Sequence, residues 1–123
     1  MNQIFLIVGG ATSLLWGVSH LFPTKNVVNG FGDISVDNKY IITMEWIIEG
    51  VSLIFLGILT IFLAVTDSRN EISIIVFWFV IAMLIVLAII SLFTGFRVNF
   101  LPYKLCPFIF LFSALCVFLG IMI

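Results

Sequence analysis

The chain has 123 residues, of which 63% are hydrophobic and 9% are charged, and its formal net charge is −1. Its mean hydropathy is +1.37, whereas soluble domains carry about 25% charged residues. This composition excludes a soluble globular domain and predicts an integral membrane protein whose main partner is the lipid bilayer. The near-neutral charge gives no reason to expect a nucleic-acid partner.

Four apolar segments are each long enough to cross a hydrocarbon layer of about 30 Å. They predict an all-α fold, an integral membrane four-helix bundle with short loops, in a single domain over residues 1–123. The predicted spans cover residues 4–22, 40–66, 72–95 and 105–123. The first span lacks a basic flank and a small-residue cleavage site, so we expect a retained helix rather than a signal peptide. We expect a multi-pass protein of a bacterial inner membrane.

The connections between these spans differ in length and polarity. Residues 23–39 contain Pro, Gly, Asn and Asp, which form turns, and this loop is long enough to fold back as a lid. Residues 67–71 form a tight polar turn, which predicts that the second and third spans are antiparallel neighbours. Residues 96–104 mix apolar and basic side chains and are expected at the membrane interface.

Polar side chains collect at one end of the predicted bundle, which we call the polar end. It is formed by the first and third connections, which carry four Lys or Arg residues against one in the second. The positive-inside rule places this end in the cytoplasm and both termini outside.

Two glutamates lie one helical turn apart within the second span. Glu45 and Glu49 share a helix face with Ser52, and Trp46 lies on the adjacent face. An ionised carboxylate near the middle of a bilayer costs on the order of 3 kcal/mol, so it persists only where a cavity, a cation or a ligand compensates. Glu49 lies deeper in the membrane than Glu45, which is close enough to the polar end to snorkel.

His20, the only histidine, lies at the polar end of the first span. A carboxylate bonded to one ring nitrogen would prepare the other for proton transfer. His20, Glu45 and Glu49 are therefore the candidate catalytic residues; the alternative for His20 is a capping role at the membrane boundary. A transition-metal centre is not favoured, because neither His-x-x-Glu nor paired-histidine spacing is present.

Arg97 ends the third span and Lys104 begins the fourth. Each can extend to lipid headgroups or turn inward to neutralise Glu45, and the planar fork of Arg97 suits a carboxylate or a phosphate. Asp33 lies in the lid-like loop, where most acids are simply solvated. The candidate ligand-binding residues are Arg97, Asp33, Trp46, Ser52 and Lys104.

Three stretches carry a resemblance to a known group of proteins. They are LWGVSHLFP at residues 15–23, EWIIEG at 45–50, and Arg97 followed by LPYKLCP at 101–107. Together they resemble the small four-helix membrane proteins grouped with the DoxX-like proteins, over most of the chain. The resemblance implies a four-helix bundle and, as in some members, association with quinone-linked oxidoreductases. It assigns no catalytic residue.

Three functional hypotheses follow from these observations. In the first, a polar cavity in one leaflet binds, and by acid-base chemistry transforms, a small amphiphile such as a quinone, an isoprenoid or a lipid headgroup. In the second, the chain is a small transporter that works as a homodimer, with Glu49 binding protons or cations. In the third, it is an accessory or structural subunit of a membrane complex. The concentration of polar groups at one end favours the first hypothesis, because a transport path needs polar groups along the whole span.

Overall fold

A computed structural model describes residues 1–123 and contains no strands. Its five helices are α1 Gln3–Leu21, α2 Thr24–Asn29, α3 Val36–Thr66, α4 Glu71–Gly95 and α5 Leu101–Met122. All but α2 are long and apolar enough to cross a membrane. The predicted all-α four-helix bundle is confirmed, and the chain is an integral multi-pass membrane protein.

Several helices begin earlier than the hydropathy predicts. Helix α3 begins at Val36 rather than at residue 40, because the Ser35 side chain accepts a hydrogen bond from the Asn38 amide and caps the helix. Helix α5 begins at Leu101 rather than at residue 105, with Pro102 in its first turn, where the missing N–H has no cost. The lid-like loop contains the short helix α2, which packs against α3 and buries Val28.

Helix α1 packs on α3 through glycines that bring the two backbones close together. A Cβ atom added to Gly57 would lie 2.6 Å from the Gly10 carbonyl oxygen, and one added to Gly17 would lie 2.7 Å from the Gly50 oxygen. The Ser13 hydroxyl donates to the Leu53 carbonyl at 3.0 Å across the same interface. Gly10, Ser13 and Gly17 therefore belong to the α3-facing surface of α1.

The other side of α1 packs on α5. There the Ser113 hydroxyl donates to the carbonyl of Gly9 at 2.8 Å, and Leu6 fills the space above Gly120. Helix α5 also packs extensively on α4. The packing order across the bundle is therefore α3, α1, α5, α4.

The prediction that α3 and α4 pack as neighbours is wrong: they hardly touch. The turn at residues 67–70 holds one pair of ends together, but the glycine face of α3 is occupied by α1. The half of the bundle near this turn is apolar at its centre. The fully buried large side chains of the whole bundle are Leu6, Leu53, Phe77, Leu84, Phe110 and Val117; of these, Leu6, Phe77 and Val117 lie in the half near the turn, which also buries Thr60 and Ser73.

Candidate functional site

A cavity of about 590 Å³ lies at the polar end of the bundle, and α1, α3, α4 and α5 all contribute to its wall. This volume falls in the range of about 300 to 1,000 Å³ that small-molecule sites occupy. Its aromatic lining residues are Trp16, Trp46, Phe100 and Tyr103. Its polar lining residues are Ser19, His20, Glu49, Ser91, Thr94, Tyr103 and Cys106.

His20 is held in this cavity by Trp46. The imidazole and the indole stack with their ring centroids 3.8 Å apart and their planes 16° apart. The Trp46 indole N–H donates to the His20 backbone carbonyl at 2.8 Å. His20 is 9% exposed, so α1 and α3 together set the position of its ring.

The imidazole Nε2 of His20 lies 3.5 Å from Oε2 of Glu49. Charge-assisted hydrogen bonds between nitrogen and a carboxylate are about 2.7 to 2.9 Å long, so this pair is close without being bonded. Nε2 is buried and has no hydrogen-bond partner in the protein, and the same holds for the indole nitrogen of Trp16. Buried polar atoms are normally satisfied, which makes these two atoms candidates for contact with a ligand.

A groove of about 490 Å³ runs between α3 and α4 beside the cavity. The groove and the cavity share Trp46, Glu49, Leu87 and Tyr103. Glu45 and Ser52 line the groove rather than the cavity, and the Ser52 hydroxyl donates to the Ile48 carbonyl of its own helix at 2.7 Å. The remaining groove residues are apolar: Ile41, Ile42, Ile48 and Met83.

The structure brings His20, Glu49 and Trp46 together and places three other candidates elsewhere. Arg97 lies just beyond α4, is exposed and makes no ion pair, so the expectation that it neutralises Glu45 is not met. Asp33 is exposed in the loop after α2, and Lys104 is half-buried on α5. None of these three lines the cavity or the groove. A side chain at a helix end has water and headgroups within reach and needs no partner inside.

Sequence reasoning missed several lining residues that helical spacing could have found. Trp16 lies four residues before His20 and so shares its face of α1. Ser91 and Thr94 lie three residues apart at the polar end of an otherwise apolar helix. Tyr103 lines both spaces, and its ring meets that of Trp46 edge to face with centroids 5.7 Å apart.

The arrangement combines an apolar, aromatic wall with a small number of converging polar groups, as binding sites for small molecules do. The imidazole and the carboxylate can each give or take a proton at the same point of the cavity. Comparison of the chain with protein-family models, with curated proteins and with solved structures gave no match. The interpretation of the site therefore depends on its geometry.

Proposed function

We propose that this protein binds a small amphiphile in the polar-end cavity, with the head of the ligand at His20 and Glu49. Quinones, isoprenoids and lipids with polar headgroups all belong to this class, and the DoxX-like resemblance is in line with a quinone-related role. The pair also has the chemistry to exchange a proton with the bound head.

One observation carries the proposal. His20 Nε2 is buried, lies 3.5 Å from the Glu49 carboxylate and has no hydrogen-bond partner, and His20 lines a cavity of ligand size. Leaving a buried polar atom unsatisfied costs roughly 1 to 3 kcal/mol. A ligand that bonds to this atom removes the cost, and the aromatic wall provides the apolar contact.

The rest of the bundle supports binding over transport. A proton or cation path across the membrane needs polar groups in both leaflets, whereas the half opposite the cavity has a mostly apolar core that buries the hydroxyls of Thr60 and Ser73 but no carboxylate or histidine. An accessory role needs no cavity. Mass spectrometry tests for the bound molecule that an accessory role does not require, and flux in liposomes tests for transport.

Native mass spectrometry of protein released from a gentle non-ionic detergent tests the proposal. Wild type should carry a co-purified molecule of lipid-like mass. Ser91→Phe places a ring inside the cavity and should abolish binding of the co-purified molecule. Ala82→Phe places the same ring on the exposed side of α4, and this variant should still carry the molecule.

Two results would overturn the proposal. One is wild-type protein that carries no adduct and takes up none from added quinone or lipid. The other is an adduct that survives Ser91→Phe unchanged, since it would then lie on the outer surface. Proton-coupled flux in liposomes that requires Glu49 would assign the protein to the transporters instead.

A further inference from the structure

The charges around the cavity and the groove are of one sign. Glu49 lines both spaces and Glu45 lines the groove. None of the four Lys and Arg residues at the polar end lines either space: Lys25, Lys39, Arg97 and Lys104. A phosphate or carboxylate head would therefore meet like charge and no compensating cation.

Within the protein, the Glu49 carboxylate has one basic neighbour, His20, at a distance too long for a charge-assisted bond. An ionised carboxylate in a membrane span is normally paired. When the neutral imidazole carries its proton on Nδ1, Nε2 is an acceptor, and at 3.5 Å from Glu49 Oε2 the two atoms can accept from one shared donor nitrogen. A protonated amine has several N–H donors on a single nitrogen and can satisfy both acceptors at once.

The aromatic wall adds a second reason to favour a cation. Tyr103 and Trp16 line the cavity beside Glu49, and the faces of such rings attract ammonium groups when water is excluded. Trp46 already stacks one face on His20, which leaves Trp16, Phe100 and Tyr103 as the other rings of the cavity wall.

We infer that the ligand is a single-chain amphiphile with a protonated amine head, held between Glu49 and His20, and with an apolar tail in the groove between α3 and α4. The groove includes Glu49 at the head position, and Ile42 and Met83 line it on either side of that level, where α3 and α4 hardly touch. Seven of its ten lining residues are hydrophobic, which suits an alkyl chain, and entry from the membrane requires no passage through the packed interfaces. This inference deepens the proposed function and depends on it.

Three ligands with the same alkyl chain test the inference: dodecylamine, dodecanol and dodecanoate. Each is titrated into the purified protein, and bound ligand is counted by native mass spectrometry. We expect the amine to bind about tenfold or more tightly than the alcohol, because hydrogen bonds to charged groups are about twice as strong as neutral ones. Dodecanoate should bind most weakly.

Matched variants locate the contact. Glu49→Gln should remove the preference for the amine over the alcohol, while Glu71→Gln, the same change at the exposed N-terminus of α4, should keep it. Met83→Trp, which fills the groove, should weaken the binding of all three ligands, because they have the same alkyl chain.

The outcomes separate this inference from the proposed function. If wild type binds dodecanol or dodecanoate as tightly as dodecylamine or more tightly, and Ser91→Phe loses this binding, the amine head is overturned. The proposed amphiphile site would then still hold. An amine preference that survives Glu49→Gln would also overturn the amine head. If none of the three ligands binds and no molecule co-purifies with the protein, both the inference and the proposed function are overturned.

Discussion

Trp46 contacts His20 in two ways, by stacking on the imidazole and by donating its indole N–H to the His20 backbone carbonyl at 2.8 Å. The second contact ties α3 to the last turn of α1, where the carbonyls of a helix lack partners within the helix. One side chain thereby fixes both the end of α1 and the ring that this end carries.

Trp46→Phe should keep an aromatic ring beside His20 and lose the hydrogen bond, with a cost of about 0.5 to 1.5 kcal/mol in the free energy of unfolding. Because His20 is the only histidine, its ring signals can be identified directly by NMR, and they should move. Trp78→Phe, on the exposed face of α4, is the control and should leave the His20 signals in place. Unmoved signals in Trp46→Phe would show that the contact does not position the ring.

Glu49→Gln should leave the thermal stability of the empty protein unchanged or raise it slightly. The carboxylate is 40% exposed and is not bonded to His20 at 3.5 Å, so the change removes no formed interaction. If the pair were a structural element of the fold, removing one partner would cost roughly 3 to 5 kcal/mol. Thermal unfolding in detergent, with Glu71→Gln alongside, distinguishes these outcomes.

Gly57→Ala should weaken the packing of α1 against α3. The added methyl group would lie 2.6 Å from the Gly10 oxygen and the Leu14 amide nitrogen, and backbone atoms cannot move aside as a side-chain end can. Overpacking of this kind typically costs about 1 to 3 kcal/mol. Ile58→Ala, on the exposed face of the same helix, is the control, and equal melting temperatures for the two variants would contradict the prediction.

The two serines that cross helix interfaces should each contribute to stability. Ser13→Ala and Ser113→Ala remove hydrogen bonds from α1 to α3 and from α5 to α1, and such bonds in membranes contribute about 0.6 kcal/mol on average and about 1.7 kcal/mol at most. Ser52→Ala removes only a bond within α3 and should cost less. Thermal unfolding of the three variants in one detergent gives the comparison, which fails if Ser52→Ala proves the most damaging.

The two cysteines should differ in their access to small thiol reagents. Both are buried, but Cys106 lines the cavity whereas Cys116 lies farther along α5 and does not. Methyl methanethiosulfonate should therefore label the Cys116→Ser variant, which retains Cys106, faster than the Cys106→Ser variant. A bound amphiphile should slow the labelling of Cys106, and equal rates in the two variants would mean that the cavity is closed to small molecules.

Hydropathy was sufficient to predict the four membrane spans, because a run of about 20 apolar residues has few alternatives to a membrane helix. It was less informative about their ends, which depend on single side chains such as Ser35 and Pro102. Helical spacing places Gly50 and Gly57 on one face of α3, and both are buried. It could not show that α1, rather than α4, packs on that face, since a short turn fixes only where two helices meet.

The candidate site was predicted in part for the same reason. His20 and Glu49 lie on different helices, and their meeting depends on how far α1 and α3 slide past each other, which the Gly10–Gly57 and Gly17–Gly50 contacts determine. Arg97 illustrates the opposite case. Its charge suggested a partner for Glu45, but it lies beyond the end of α4, is exposed and does not line the cavity.

The packing order α3, α1, α5, α4 describes an open arc with three interfaces rather than a closed ring with four. In a closed ring, a helix moves outward only when it separates from neighbours on both sides. Here α3 and α4 each have one extensive helix partner among the spans, and that partner lies on the side away from the groove. The distance between α3 and α4 can therefore change through a small bend of the arc, while each of the three interfaces keeps its contacts.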